Sequence, residues 1–310
     1  MESICIEELV KSYGPTRAVD HATLKVEAGT VFGLIGPNGA GKSTIIRSLL
    51  GIAPYDSGRV MISGVDMSLR DAHQKVKVGY LPQKAAFQEW RTAEQALLTL
   101  GRLSGLEGKR LQQRVDEVIK QLGLEEYRDR KVGKLSGGTQ QKLGFAQAIV
   151  HEPSVLVLDE PMAALDPASR FLFKNIIREL RVSGTTILFS SHILSDVEDL
   201  ADSVGLLQSG KVRYTGPIKG LEKIVSLRSE LVVELVNDKG EWRSVALPGV
   251  DLRQPSAGCL VAHLKDEDGW DTTVPRIIEA LMKAGCNIRS FNRHDPKLED
   301  VYLAYVGGSN

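Results

Sequence analysis

Hydrophobic and polar positions along the chain fall into three patterns. Unbroken apolar runs occur at Val31-Phe32-Gly33-Leu34-Ile35, Val155-Leu156-Val157-Leu158 and Ile187-Leu188-Phe189. Short runs without alternation predict strands covered on both faces, as in a parallel sheet. Val78-Gly79-Tyr80-Leu81-Pro82-Gln83 predicts another short buried strand, ending in Gln83. Alternation at Ile4–Val10, Ala22–Val26 and Gly58–Gly64 predicts half-exposed strands, together an antiparallel layer. Gly14-Pro15 and Ala28-Gly29 supply the turns between them, and Ser209-Gly210 turns a hairpin over Val204–Tyr214.

The third pattern has helical spacing. Ala96, Leu97, Leu100 and Leu103 recur at that interval, as do Leu111, Val115, Val118, Ile119 and Leu122. A small helical insertion is expected over 84–134, interrupted at Gly101, Gly105 and Gly108. Further helices are expected over Ser43–Leu50, Thr139–Val150 and Ser169–Arg181. After Gly216-Pro217 the character changes. Residues 217–229 read as a linker, and 230–310 as a small α+β domain. Its strands are expected at Leu231–Val236, Gly258–Leu264 and Asn287–Arg293, and its helices at Val274–Ala284 and Leu298–Val306.

Composition narrows the setting. At 310 residues and 42% hydrophobic, the chain can bury a sizeable core in one large domain or two ordinary ones. Lys+Arg and Asp+Glu are equal at 39, so no broad attraction to nucleic acid or anionic lipid is expected. Cys5, Cys259 and Cys286 are odd in number and far apart, as free thiols in a reducing compartment. The start lacks a basic segment followed by an apolar block, and no apolar run is long enough for a membrane helix. A soluble, cytoplasmic chain is expected, with any membrane span supplied by another chain.

Chemistry concentrates at the ends of the buried strands. Gly36-Pro37-Asn38-Gly39-Ala40-Gly41-Lys42-Ser43-Thr44 follows the pattern of Gly, four free positions, Gly, Lys, then Ser or Thr. Its glycines let the backbone approach an anion, Lys42 brings a cation to phosphates, and Ser43 offers a hydroxyl to Mg²⁺. Strand, Gly-rich loop and helix come in the order such a loop needs. Ser136-Gly137-Gly138 gives a second cluster of donor groups at a helix start, which by itself is an ordinary Ser/Gly cap. Asp159-Glu160 places two carboxylates at the end of a buried strand, a costly position unless they serve charge chemistry or a metal. The next buried strand ends in Ser190-Ser191-His192. In an open α/β sheet the phosphate loop, Gln83, Asp159, Glu160 and His192 share the edge where ligands bind. Tyr13 lies in a polar turn and by itself reads as a surface aromatic.

With these motifs assembled, residues 2–216 resemble the ATP-binding subunit of an ABC transporter. Gly36 to Ser43 or Thr44 looks like Walker A, Gln83 like the Q-loop glutamine, and Leu135-Ser136-Gly137-Gly138 like the signature. Val155 to Asp159 looks like Walker B, with Glu160 in the catalytic-glutamate position. Ala164-Leu165-Asp166 looks like the D-loop, His192 like the H-loop histidine, and Tyr13 falls where the family stacks an aromatic on adenine. The resemblance implies a P-loop NTPase fold: a parallel sheet with an antiparallel β subdomain and a helical subdomain near 84–150, plus the C-terminal α+β domain. It also implies two copies head to tail, a homodimer or a heterodimer with a second ATPase subunit. ATP is then held between Walker A of one and the signature of the other. Two separate membrane permease subunits hold the dimer at the cytoplasmic face of the cell membrane.

The roles so implied are specific. Tyr13 stacks on adenine; Gly36 to Thr44 (Gly36, Pro37, Asn38, Gly39, Ala40, Gly41, Lys42, Ser43, Thr44) hold the phosphates. Ser43, Gln83 and Asp159 serve Mg²⁺. Glu160 prepares the attacking water, His192 contacts the γ-phosphate, and the partner contributes its Ser136, Gly137, Gly138 and Asp166. The helical insertion with Gln83, and Trp90 beside Arg91, are expected to meet the permease. The segment Lys297–Tyr305 is similar to the tail of ABC-2-type exporter ATPases, a subgroup with drug, sodium and polysaccharide exporters and ATPases serving nitrous-oxide reductase assembly. Two departures stand out. Thr139 follows the signature where Gln is usual, and Ala163-Ala164 replaces Ser-Gly before Asp166. The competing readings are a soluble ABC-type ATPase acting on nucleic acid or ribosomes, and an ATP-dependent scaffold. A single cassette with zero net charge disfavours the first, and Glu160 with His192 disfavours the second.

Overall fold

The computed structural model describes residues 2–69, 71–163, 165–218, 230–236, 238–264 and 270–294, with 298, 300 and 302. Two compact units divide between residues 218 and 219.

In the first unit, β1 (Glu2–Tyr13), β2 (Thr16–Glu27), β4 (Ser57–Ile62) and β5 (Val65–Asp66) form an antiparallel sheet in the order β2-β1-β4-β5. The first two strands are longer than their alternation predicts. Register shifts between Ile6 and Leu9 and between Leu9 and Lys11 break the pattern without ending the pairing. Tyr13 is the last residue of β1 rather than part of the turn.

The second sheet has six strands. β3 (Val31–Ile35), β6 (Val78–Leu81), β7 (Val155–Leu158), β8 (Thr186–Ser191), β9 (Ser203–Gln208) and β10 (Lys211–Pro217) lie in the order β10-β9-β3-β8-β7-β6. All neighbours are parallel except β9 and β10, the predicted hairpin. Strands β3, β7 and β8 are buried at every position, as their unbroken apolar runs require. One core joins the two sheets: Ile4, Leu24, Phe32, Ile45, Val60, Leu188 and Leu207 belong to the same buried cluster.

The helices are α1 (Lys42–Leu49), α2 (Ala72–Lys75), α3 (Ala93–Leu103), α4 (Gly108–Gln121), α5 (Gly137–Ile149), α6 (Pro167–Val182) and α7 (Leu194–Leu200). A capping box at Thr92 and Gln95 starts α3, with both reciprocal bonds made. Gly101 does not interrupt the run as its composition predicts; it lies within α3. A Cβ there would come within 2.5 Å of Leu111 Cδ1 on α4, so a larger residue would require the Leu111 side chain to shift. Arg128 ties the same unit together by ion pairs to Glu94 and Asp116.

Helix α5 lies against β6 so closely that a Cβ on Gly79 would sit 2.1 Å from the Ala148 carbonyl oxygen. Just beyond α5, His151 Nε2 is 3.2 Å from the Val78 carbonyl. That carbonyl only accepts, so the neutral tautomer carries its proton on Nε2. Nδ1 is buried without a partner among the described residues. Burial therefore pushes the imidazole pKa below its ordinary value, with the nearby Lys77 acting in the same direction and the Val78 bond opposing. The unfolded chain takes up this proton near pH 6.5, and the folded chain only at lower pH. The stability due to neutral His151 is complete above about pH 6.5 and falls as the pH drops through the lowered folded value. Urea unfolding from pH 7.5 to 5.5 is expected to show this decline, and His151→Gln to flatten it.

In the second unit, β11 (Glu230–Val236), β12 (Val250–Ser256), β13 (Cys259–Leu264) and β14 (Asn287–His294) form an antiparallel sheet in the order β12-β13-β11-β14. Helix α8 (Trp270–Lys283) buries Ile277 and Leu281 in a core with Leu231, Val233 and Leu260. Strand β12 is absent from the sequence expectation. Its alternation is polar and it contains Pro255, which is tolerated because β12 is an edge strand. Most of the expected linker 217–229, and the tail and helix expected over 297–306 apart from 298, 300 and 302, lie outside the described residues.

Candidate active site

The parallel strands bring the predicted residues to one edge by register alone. Ile35 pairs with Ser191, Leu158 with Phe189, and Leu81 with Leu158. The residues that leave these strands therefore emerge side by side: Gly36 after β3, Asp159 and Glu160 after β7, and His192 after β8. Gln83 follows β6 by two residues and is exposed, so the strand does not reach it as predicted.

The loop from Gly36 to Gly41 needs its glycines for space and for conformation. A Cβ on Gly36 would lie 2.4 Å from the Leu207 carbonyl oxygen. One on Gly41 would lie 2.5 Å from that of Ala18, and Gly41 has φ +109°. Gly41 is also the N-cap of α1 and offers no side-chain cap. The first amides of α1 thus keep unsatisfied donors and a positive end. Ser43 and Thr44 are part-buried in this first turn.

Lys42 folds back into the loop. Its Nζ donates to the Gly36 carbonyl at 2.7 Å and the Pro37 carbonyl at 3.3 Å. It also pairs with Glu160 Oε1 at 3.3 Å, and both side chains are only 6% exposed. The other carboxylate oxygen, Glu160 Oε2, lies 2.8 Å from His192 Nδ1. Lys42, Glu160 and His192 form one continuous chain of contacts across the ends of three strands. Glu160 has φ +50°, a left-handed conformation that costs a non-glycine residue about 1–3 kcal/mol and turns the chain sharply out of β7.

Asp159 is buried, its amide bonded to the Leu81 carbonyl at 2.8 Å. The Ser190 hydroxyl donates to Asp159 Oδ1 at 2.7 Å and accepts from the Glu160 amide at 2.9 Å. Ser190 is a site residue that sequence reasoning did not single out. Nothing local marks it, because its partners come from a neighbouring strand. Burial, and then the charge of Asp159, push the pKa of the Tyr80 phenol on β6 upward.

Other predicted residues occupy separate positions. Ser136 is the N-cap of α5, accepting from the Thr139 amide at 3.2 Å, and the two hydroxyls lie 2.8 Å apart. The Thr139 departure therefore supplies a partner for the Ser136 hydroxyl. Gln141 donates to the Pro161 carbonyl at 3.1 Å, joining α5 to the turn after Glu160. Among the described residues no hydrogen bond or ion pair joins Ser136, Gly137 or Gly138 to the Gly36–Thr44 loop. Asp166 caps α6, accepting from the Ser169 amide at 2.9 Å and hydroxyl at 2.6 Å. Those bonds hold its carboxyl below the usual range. Ala164 lies outside the described residues, so the Ala163-Ala164 departure is seen only in part. Tyr13 is 49% exposed, with the Lys11 ammonium 4.9 Å from its ring centroid. Trp90 is 64% exposed beside the Arg91 guanidinium, 4.8 Å from its ring.

No group of three or more His, Cys, Asp and Glu among the described residues forms a metal cage. What the site offers is Ser43, Gln83 and the buried Asp159, oxygen donors from three segments. That set suits Mg²⁺ carried in with a phosphate ligand, which keeps most of its other ligands as water and phosphate oxygen.

Residues 19–163 match the ABC transporter family. The chain is 34% identical over 306 residues to the uncharacterized ABC transporter ATP-binding protein YxlF of Bacillus subtilis, covering 98% of this chain and 99% of that protein. It is 34% identical over 302 residues to the daunorubicin/doxorubicin resistance ATP-binding protein DrrA of Streptomyces peucetius, covering 96% and 91%. To the Nod factor export ATP-binding protein I of Burkholderia thailandensis it is 32% identical over 308 residues, covering 98% and 97%. Among solved structures, an ATP-binding subunit of an ABC transporter superposes with TM-score 0.68 at 27% identity, covering 73% of this chain and 94% of that one. A dimeric ATP-binding cassette bound to ADP and Pi shares the fold at TM-score 0.65 and 22% identity, covering 70% and 99%. The phosphate loop, the paired carboxylates and the strand order agree with these likenesses, and the chain belongs to the ABC transporter family as one of its ATP-binding, ATP-hydrolysing subunits.

Proposed function

We propose that the chain powers an ABC-2-type exporter, with ATP closing two copies head to tail on a pair of separate permease subunits. The observation that carries the chemistry is the chain of contacts from buried Lys42 through buried Glu160 to the exposed His192. It places a cation, a carboxylate and an imidazole at the end of a phosphate-binding loop, as phosphoryl transfer requires. Full-length likeness to DrrA and to the Nod factor export protein supports the exporter assignment. It disfavours a nucleic-acid or ribosome-directed ATPase.

The roles proposed are those that the family resemblance implies for these positions. The adenine stacks on exposed Tyr13, and the phosphates lie over the Gly36–Thr44 loop at the uncapped start of α1. Lys42 exchanges Glu160 for phosphate oxygens as the nucleotide enters. Ser43, Gln83 and Asp159 would hold Mg²⁺, which when bound would supply charge neutralisation for the phosphoryl group. The released Glu160 carboxylate accepts a proton from the attacking water, and His192 orients it. A second copy supplies Ser136, Gly137 and Gly138 over the γ-phosphate and Asp166 beside His192. Gln83, Trp90 and the α3–α4 unit face the permease. No helix among the described residues is long and apolar enough to cross a membrane; attachment through the permease is part of this proposal.

Because each site is completed by the second copy, ATPase activity per molecule should fall on dilution while single-copy ATP binding persists. A steady-state assay over a wide protein concentration range measures this. Constant specific activity would refute shared sites. Co-purification with a membrane protein distinguishes the exporter from a soluble ATPase.

A further inference from the structure

Ser190 and Ser191 are adjacent on β8 but serve different ends. The Ser191 hydroxyl stays local, accepting from the Ile193 amide at 2.9 Å and donating to the Ile193 carbonyl at 3.2 Å. Ser190 is fully buried and reaches across to β7. Its single proton goes to Asp159 Oδ1, and one of its lone pairs receives the Glu160 amide proton. A hydroxyl can do both at once because it is donor and acceptor, which no apolar side chain of that size can be.

The two bonds fall on the two carboxylates whose tasks differ. Asp159 has its backbone amide tied to β6 through the Leu81 carbonyl, so its side-chain oxygen is the part left to be set. Glu160 has left the sheet at φ +50°, so its amide has no ladder partner and finds the Ser190 oxygen instead. That amide lies at the root of the side chain that reaches both Lys42 and His192.

We propose that Ser190 is a positioning residue which, with one hydroxyl, aims Asp159 at the metal position and holds the strained Glu160 backbone in its working conformation. This rests on the ATPase reading above. The hydroxyl acts through the two carboxylates. Partners of this kind commonly affect metal affinity or activity by about 10–100-fold.

The test is equilibrium titration of the full chain with ATP, in EDTA and in Mg²⁺, together with steady-state ATPase assays. In Ser190→Ala the EDTA affinity is expected to be unchanged. The tightening produced by Mg²⁺ should fall about 10-fold, and kcat about 10–100-fold. Ser190→Thr keeps the hydroxyl and should restore both. The proposal is overturned if Ser190→Ala titrates and turns over as the wild type does. It is also overturned if affinity falls equally with and without Mg²⁺, the mark of a merely structural role, or if Ser190→Thr behaves as alanine while its unfolding curve matches the wild type. A wild-type chain that hydrolyses no ATP would instead refute the ATPase reading, so the two failures are distinct.

Discussion

Glu160→Gln is expected to lower the ATPase kcat by about 10²–10⁴-fold, the range of a lost general base, without weakening ATP binding. The substitution changes little else. Glutamine has the same length and leaves an oxygen or nitrogen within reach of His192 Nδ1, now 2.8 Å from Glu160 Oε2. It does remove the ion pair to Lys42 at 3.3 Å. In the wild type ATP must draw Lys42 away from that carboxylate, so the variant should bind ATP at least as tightly. Binding without hydrolysis should also accumulate a closed pair of chains. Size-exclusion chromatography with ATP and Mg²⁺ would show a dimer that the wild type populates only transiently. Ordinary turnover in the variant would remove Glu160 from the mechanism.

Lys42→Ala should have an equally large effect on binding. A charge-assisted contact to phosphate contributes about 1.5–3 kcal/mol, and the upper value corresponds to roughly 100-fold in Kd. ATP at about ten times the wild-type Kd, which fills roughly nine-tenths of the wild type, should therefore fill only about one-tenth of the variant in nucleotide titration, and activity at that concentration should fall with binding. The fold responds as well. Removing one member of a buried ion pair costs about 3–5 kcal/mol, because the other charge stays buried. Here Glu160 keeps His192, so the lower end is expected, read as a reduced urea midpoint with unchanged slope. Wild-type ATP affinity in Lys42→Ala would refute the assignment of the phosphate cation.

The unequal success of sequence reasoning follows from how far each interaction reaches. Strands β3, β7 and β8 were readable because burial on both faces demands continuous apolar residues, a local pattern. The Gly36–Thr44 loop was readable because its Gly, Lys and Ser positions are contiguous in the chain, even though the space that Gly36 and Gly41 need is set by the distant Leu207 and Ala18 carbonyls. Edge strand β12 was not, since an edge position permits Pro255 and polar alternation. Gly101 was misread because the helix α3 continues through it, packed against Leu111 of the facing helix, whatever the turn chemistry of its neighbours.

The same division runs through the site. Residue types and their order along the chain identified Lys42, Ser43, Gln83, Asp159, Glu160 and His192 as candidates and placed each after a strand. Which of them touch was set by the register of parallel strands, a long-range property that no segment encodes alone. Folding placed Glu160 between Lys42 and His192, and drew Ser190 out of an apolar strand to face Asp159 and the Glu160 amide. The sequence was sufficient for the family, the phosphate loop and the set of charged groups, because these depend on local backbone demands and on chemistry carried by single side chains. The pairing of those groups required the folded sheet, because hydrogen bonds and ion pairs act only over a few ångströms, and only strand pairing brings distant segments that close.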